Sequence, residues 1–283
     1  MNIYKNVSKC YLHKINEDSV LLITELIENQ SIVFHLIETT INENFNVSLI
    51  ENFNDLSHFD NIYSCISSLS NYLILSNGIK VFIINLFEKK LKLSTEIMES
   101  KSTNKIEKLY SITNTDDFFC LTNNSHLLYI QYDEKINQTT VFAKSDLKVS
   151  KIEIMKNILV ISDLDNQLII FNLDDIRANK MLPKEPLLKI MVNNLEYFSI
   201  SKDANYIAIL EKPKSLSLYR VKDASKCAQV ELYSRINGLI IDEKFVILAM
   251  KDRRILSYLI VDPLVVEHRL RIKELPSRYL NRL

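Results

Sequence analysis

A pair of apolar strands joined by a polar turn occurs six times along this chain, and each copy closes on a related three-residue motif. The motifs are Phe34-His35-Leu36, Ile84-Asn85-Leu86, Ile130-Gln131-Tyr132, Phe171-Asn172-Leu173, Tyr219-Arg220-Val221 and Tyr258-Leu259-Ile260. Their first residues are 50, 46, 41, 48 and 39 positions apart, close to the roughly 40–50 residues of a repeat that is one four-stranded sheet. An acid follows every motif within two residues: Glu38, Glu88, Asp133, Asp174, Asp223 and Asp262. The turns are polar as well, at Asn29-Gln30, Asn77-Gly78, Asn124-Ser125, Asp165-Asn166, Pro213-Lys214 and Asp252-Arg253. Asn and Asp tolerate left-handed backbone and bond their own main chain, which suits them to hairpin turns.

Each unit has room for two further strands. Segments 105–113, 148–155, 195–201 and 236–242 precede hairpins, and segments 46–52, 91–97, 138–144, 187–192, 227–233 and 267–273 follow them. The inner strands are nearly continuous apolar runs, as in YIAILE and FVILAM, so both faces of each sheet are expected to be covered. A four-stranded unit cannot cover itself on both faces, so neighbours must stack. No segment reads as a convincing amphipathic helix. The expected fold is all-β, a β-propeller of about six four-stranded antiparallel blades, or seven if residues 1–14 complete another. The blades lie near 8–52, 61–97, 105–144, 148–192, 195–233 and 236–273, with a propeller over 1–265 and a C-terminal tail at 274–283.

Residues 195–223, LEYFSISKDANYIAILEKPKSLSLYRVKD, resemble a WD40 repeat. Ser201-Lys202-Asp203-Ala204-Asn205-Tyr206 stands where that family has Ser-x-Asp-Gly-x-Tyr, and Tyr219-Arg220 stands at its Trp-Asp position, as do Phe171-Asn172, Phe34-His35 and Tyr258-Leu259. The chain has no Trp and no Gly-His pair, and Ala204 replaces the turn glycine. The family's Asp–His–Ser/Thr–Trp network is therefore missing, and packing must supply the rigidity. Residues 251–278, KDRRILSYLIVDPLVVEHRLRIKELPSR, are similar to the last blade and tail of the NACHT and WD repeat domain-containing proteins. That resemblance implies a cytoplasmic C-terminal propeller that senses a ligand or restrains an NTPase domain of the same parent protein.

Composition narrows the chemistry. There are two glycines, Gly78 and Gly238, where average usage would give roughly twenty. Phosphate-cradling loops and the nucleophile elbow both need closely spaced glycines, so neither can be written in this chain. Cys10, Cys65, Cys120 and Cys227 are far apart and read as small buried hydrophobes. No two of the five histidines lie within five residues of each other, so no histidine pair has zinc spacing. His35 reads as a structural histidine and His126 as a solvent-edge one. The pairs Asp116-Asp117 and Asp174-Asp175 and the fragment Asp163-Leu164-Asp165 read as turns. No cofactor and no metal ligands are expected.

Lys plus Arg and Asp plus Glu both number 35, so no global field draws the chain to nucleic acid. Phe82, Phe118, Phe119 and Phe198 sit in apolar strands and read as core rather than as base-stacking groups. No apolar run approaches the roughly 20 residues of a membrane span, and no secretory leader is evident. The expectation is a non-enzymatic scaffold that binds other proteins, with no nucleic acid and no membrane insertion. Two alternatives are a metal-dependent six-bladed propeller enzyme and an RNA-binding propeller. The expected contact residues are Lys251, Arg253 and Arg254 beside the last hairpin turn, in a C-terminal stretch rich in basic residues.

Overall fold

The computed structural model describes the strands within 7–53 by their backbone. It describes side chains through most of 63–260, apart from 68, 70, 89, 99–102, 143–146, 213 and 243. The expected turn at Asn29-Gln30, the expected strand at 267–273 and the tail fall outside the described residues.

Among those residues the strands form five four-stranded sheets and one three-stranded sheet, each with its strands in chain order. The first contains β1 (Val7–Lys14), β2 (Ser19–Leu26), β3 (Ile32–Thr39) and β4 (Phe45–Phe53). The second contains β5 (Tyr63–Ile66), β6 (Tyr72–Ser76), β7 (Lys80–Asn85) and β8 (Lys90–Glu96). The third contains β9 (Ile106–Ser111), β10 (Phe118–Thr122), β11 (Leu127–Asp133) and β12 (Gln138–Lys144). The fourth contains β13 (Val149–Met155), β14 (Ile158–Asp163), β15 (Gln167–Asn172) and β16 (Leu188–Met191). The fifth contains β17 (Leu195–Ile200), β18 (Tyr206–Glu211), β19 (Ser215–Arg220) and β20 (Lys226–Glu231). The sixth contains β21 (Ile236–Ile241), β22 (Phe245–Met250) and β23 (Ile255–Leu259). Residues 7–14 do not start an extra sheet: β1 pairs antiparallel with β2.

Every repeated hairpin is the second and third strand of a sheet; the three-residue motif lies at the end of the third strand in the second to sixth sheets and inside it, at 34–36 of β3, in the first. Between strands two and three, Gly78, Ser125, Asn166 and Arg253 take positive φ of 92°, 63°, 60° and 69°. Side chains close the same turns. Asn77 Oδ1 accepts the Ile79 and Lys80 amides at 3.0 and 2.7 Å, and Asp163 Oδ1 accepts those of Asp165 and Gln167 at 2.9 and 2.8 Å. The fragment Asp163-Leu164-Asp165 is thus a turn device.

The acids after the motifs do not share one role. Asp133 and Asp223 accept the amides two residues on, from Lys135 and Ser225. In the second and fourth sheets Asn85 and Asn172, inside the motif, take that role. Glu88 instead pairs with Lys92 at 2.7 Å.

Asp174-Asp175 is not a turn. It opens a short helix, α1 (Leu173–Asn179), with both acids in the first turn and Arg177 in the last. Asn172 caps it, its Oδ1 accepting the Asp174 amide at 2.9 Å. Acids at the start and a base at the end suit the helix dipole, and Leu173 and Ile176 are buried.

The chain divides into two compact bodies, residues 1–149 with 177–182 and residues 150–176 with 183–283. In the first, Tyr72, Ile74, Val81 and Ile83 of the second sheet pack with Ile106, Phe118, Cys120 and Ile130 of the third. In the other, the fifth sheet supplies two cores. Ile207 and Ile209 join Val160, Leu168 and Ile170 of the fourth sheet, while Ala208 and Leu210 join Val246, Leu248 and Met250 of the sixth. Successive side chains on a strand point to opposite faces, so an unbroken apolar run is what a sheet between two others requires. Phe82, Phe118, Phe119 and Phe198 are all buried. Buried hydroxyls tie the loops down without a Trp network: Ser67 Oγ accepts the Tyr72 amide at 3.1 Å and Ser201 Oγ the Tyr206 amide at 3.0 Å. No described helix is long and apolar enough to cross a membrane.

Candidate partner interface on a basic rim

The hairpin turns differ most in charge. The turn of the third sheet is Asn123-Asn124-Ser125, that of the fourth Asp163-Leu164-Asp165-Asn166, and that of the sixth Lys251-Asp252-Arg253-Arg254. Of these three turns only that of the sixth sheet carries basic residues. Lys251, Arg253 and Arg254 are all exposed. The turn is closed by main-chain bonds from the Met250 amide to the Arg254 carbonyl at 2.9 Å and from the Arg253 amide to the Met250 carbonyl at 3.2 Å.

Asp252 holds Arg254 in place. Its Oδ2 accepts Nε at 3.1 Å and Nη2 at 2.6 Å, and its Oδ1 accepts the Arg254 amide at 3.2 Å. These hydrogen bonds from Arg254 keep the Asp252 carboxyl below the usual carboxylate range, and the Ser234 hydroxyl adds to the effect. Arg254 is thus partly neutralised and fixed, whereas Lys251 and Arg253 have no ion pair among the described residues.

One further connection meets this turn, and the Pro213-Lys214 hairpin turn meets that connection in its own right. The connection 232–235 joins β20 to β21, and the Arg235 carbonyl accepts the Lys251 amide at 2.9 Å. The β18–β19 turn contributes Lys212 and Lys214. The Leu232 amide donates to the Lys214 carbonyl at 2.9 Å, and Lys214 Nζ donates to the Tyr233 carbonyl at 3.1 Å. Lys212 and Arg235 are exposed, and the Tyr233 side chain is 97% exposed. Five cations besides Arg254 therefore lie on three connections joined by these hydrogen bonds, and the middle connection carries the exposed Tyr233 ring. The available signals were a Pro between two lysines and a tyrosine outside any apolar run, and both are weak alone.

The Asp116-Asp117 pair lies in the turn before β10. Asp117 is buried and accepts the Tyr129 hydroxyl at 2.5 Å. Asp116 is lifted above the ordinary carboxyl range by burial first and then by the charges of Glu134 and Asp117, against a hydrogen bond from Ser67. Tyr132 donates to Asn137 Oδ1 at 3.0 Å. Among the described residues no three His, Cys, Asp or Glu side chains are grouped to hold a metal ion. The thiols of Cys65 and Cys120 are pushed up by burial, and Cys65, Cys120 and Cys227 are unbridged. His126 lies 3.3 Å from Lys148 Nζ through its Nε2, and the side chain of His35 lies outside the described residues.

No sequence family matches the chain, and no curated protein matches it, so the likeness of 251–278 to the NACHT and WD repeat proteins rests on those residues alone. Solved structures do match. The Raptor protein of Chaetomium thermophilum is 11% identical, with a TM-score of 0.59 over 90% of this chain. The chain spans only 24% of that protein. The β-propeller domain of Cps50 (Swd1) from Myceliophteria thermophila is 10% identical, with a TM-score of 0.58, covering 90% of this chain and 85% of the other. Hsv2 of Kluyvelomyces marxianus is 10% identical, with a TM-score of 0.57, covering 92% and 78%. At such identities the likeness speaks for architecture alone, and that architecture is the β-propeller.

Proposed function

We propose that this chain is a non-enzymatic protein-interaction propeller whose contact surface includes Lys251, Arg253 and Arg254. The observation that carries this reading is the rim itself: exposed cations and an uncovered tyrosine, held on short hydrogen-bonded connections. Tyr and Arg are the residue types that most often anchor protein interfaces, and loops on a rigid scaffold are where binding groups concentrate. The finer reading makes the chain the regulatory C-terminal propeller of a cytoplasmic NACHT-type signalling ATPase, with the NTPase domain of its own parent protein as one partner. The resemblance of 251–278 supports that context.

The test is capture of partners from cell extract by the folded chain and by a variant carrying Lys251→Ala, Arg253→Ala and Arg254→Ala. All three side chains are exposed, so the variant is expected to melt within a few degrees of the parent. Its specific partner should be lost. A folded chain that captures nothing reproducibly, or a partner indifferent to the three changes, overturns the assignment.

A further inference from the structure

We infer that the rim of the fifth and sixth sheets is a docking site for an acidic, Asp/Glu-rich segment of a partner protein, with Tyr233 as its apolar anchor. This rests on the protein-interaction reading and names the chemistry of the partner.

Charge comes first. The whole chain is neutral, with 35 basic and 35 acidic residues, yet Lys212, Lys214, Arg235, Lys251 and Arg253 collect on three adjacent connections. The acids beside them are fewer: Asp252 is already taken by Arg254, and Glu211 and Glu231 end the strands that lead into the other two connections, so cations outnumber carboxylates six to three. Opposing potentials speed encounter and fix register, so a surface of this sign selects a carboxylate-rich partner. The cations belong to successive connections rather than to one pocket. They match carboxylates spaced along an extended peptide better than a single compact anion.

Tyr233 comes second. A tyrosine at 97% exposure leaves its whole ring in water. Its backbone is nevertheless fixed, by the Lys214 ammonium on its carbonyl at 3.1 Å and by the neighbouring Leu232 amide on the Lys214 carbonyl at 2.9 Å. An aromatic side chain with few rotatable bonds on an anchored backbone loses little entropy when a partner covers it.

Nucleic acid fits less well. Single strands are held by rows of aromatic faces beside a basic groove, and Phe82, Phe118, Phe119 and Phe198 are buried. Tyr233 is the lone aromatic on this rim among the described residues.

The experiment uses the full chain and a short fluorescent Asp/Glu-rich peptide, with its Asn/Gln counterpart, a single-stranded oligonucleotide and anionic phospholipid vesicles as competitors. The acidic peptide should bind, the neutral counterpart should not, and the affinity should fall as salt rises. Combined Arg235→Glu, Lys251→Glu and Arg253→Glu should weaken binding by about tenfold or more. Tyr233→Ala should weaken it by about tenfold without changing the salt dependence. Lys184→Glu with Lys189→Glu, exposed on the same body but outside the three rim connections, should change nothing. Circular dichroism of each variant establishes that it is folded.

Absence of peptide binding by the folded chain overturns the inference. So does equal weakening by the rim and control variants, or tighter binding of the oligonucleotide or the vesicles. If the peptide fails while a captured protein partner still depends on Lys251, Arg253 and Arg254, the acidic-segment inference falls and the interaction reading stands. If both fail, both fall.

Discussion

The fifth and sixth sheets contain central strands of almost equal apolar character, YIAILE and FVILAM, and bury them differently. In β18 Ile207, Ala208, Ile209 and Leu210 are all buried, serving the cores on both faces. In β22 burial alternates. Val246, Leu248 and Met250 face the fifth sheet, while Phe245 and Ile247 remain 40% and 36% exposed. Ile255 and Leu259 of β23 and Ile240 of β21 are exposed as well. Among the described residues, the central run of the fifth sheet is buried on both faces and that of the sixth on the face toward the fifth sheet. An apolar residue records that burial is tolerated, and only a neighbouring sheet supplies it.

Paired substitutions would break this comparison or sharpen it. Ile209→Ala and Leu248→Ala should each lower unfolding free energy by about 2–5 kcal/mol, because each removes methyl groups from a filled core. Ile247→Ala should cost no more than about 1 kcal/mol, since its side chain is already in partial contact with water. Chemical denaturation of the three variants measures this directly. Equal losses at 209 and 247 would mean that Ile247 is as well packed in solution as Ile209.

A second probe asks whether the doubly covered sheet is optimally filled. Ser217 on β19 is fully buried, and its Oγ has no hydrogen-bond partner among the described residues. Ser217→Ala should therefore stabilise the chain by about 1 kcal/mol, since it removes an unpaired buried hydroxyl. A loss on denaturation would show that the hydroxyl has a partner.

The turn between β17 and β18 provides a smaller test. Ala204, which stands where the resembled family has glycine, has φ of +61°. Ala204→Gly should add about 0.5–1 kcal/mol, because glycine adopts that region without a Cβ clash. An unchanged or lowered melting temperature would refute the strain.

The least expected effect is on pH. Burial works to raise the pKa of Asp203, but hydrogen bonds from the Ser201 hydroxyl and from the Asn205 amide and side chain outweigh it and hold the carboxyl below the usual range. A depressed folded-state pKa gives stability that is present above the unfolded value of about 3.9 and is lost as pH falls through the folded one. The gap in melting temperature between the parent and Asp203→Asn should therefore narrow on going from about pH 6 to about pH 3. A constant gap would show that Asp203 contributes no ionised interaction.

The amino-acid sequence by itself determined the hairpins. Their strands are β-branched and aromatic, and their turns carry residues such as Asn77-Gly78 and Asp165-Asn166 that accept left-handed backbone. Such pairing is decided within a few residues, so it is legible one-dimensionally. The short helix at Leu173–Asn179 was also written locally, in an Asn cap, two acids and a closing Arg. Its seven residues left too little periodicity to set it apart from a turn.

Tertiary structure alone decided the rest. Whether a motif residue such as Asn85 or the acid after the motif such as Asp133 closes the next turn depends on where the strand stops. Which face of an apolar strand is dry depends on the sheet beside it. The rim joins Lys212, Lys214, Tyr233, Arg235, Lys251 and Arg253 across about 40 residues of sequence because antiparallel strands return successive connections to one edge. Lys251, Arg253 and Arg254 are legible in the sequence because they put three cations within four residues. The other members become neighbours only when the main chain folds back on itself.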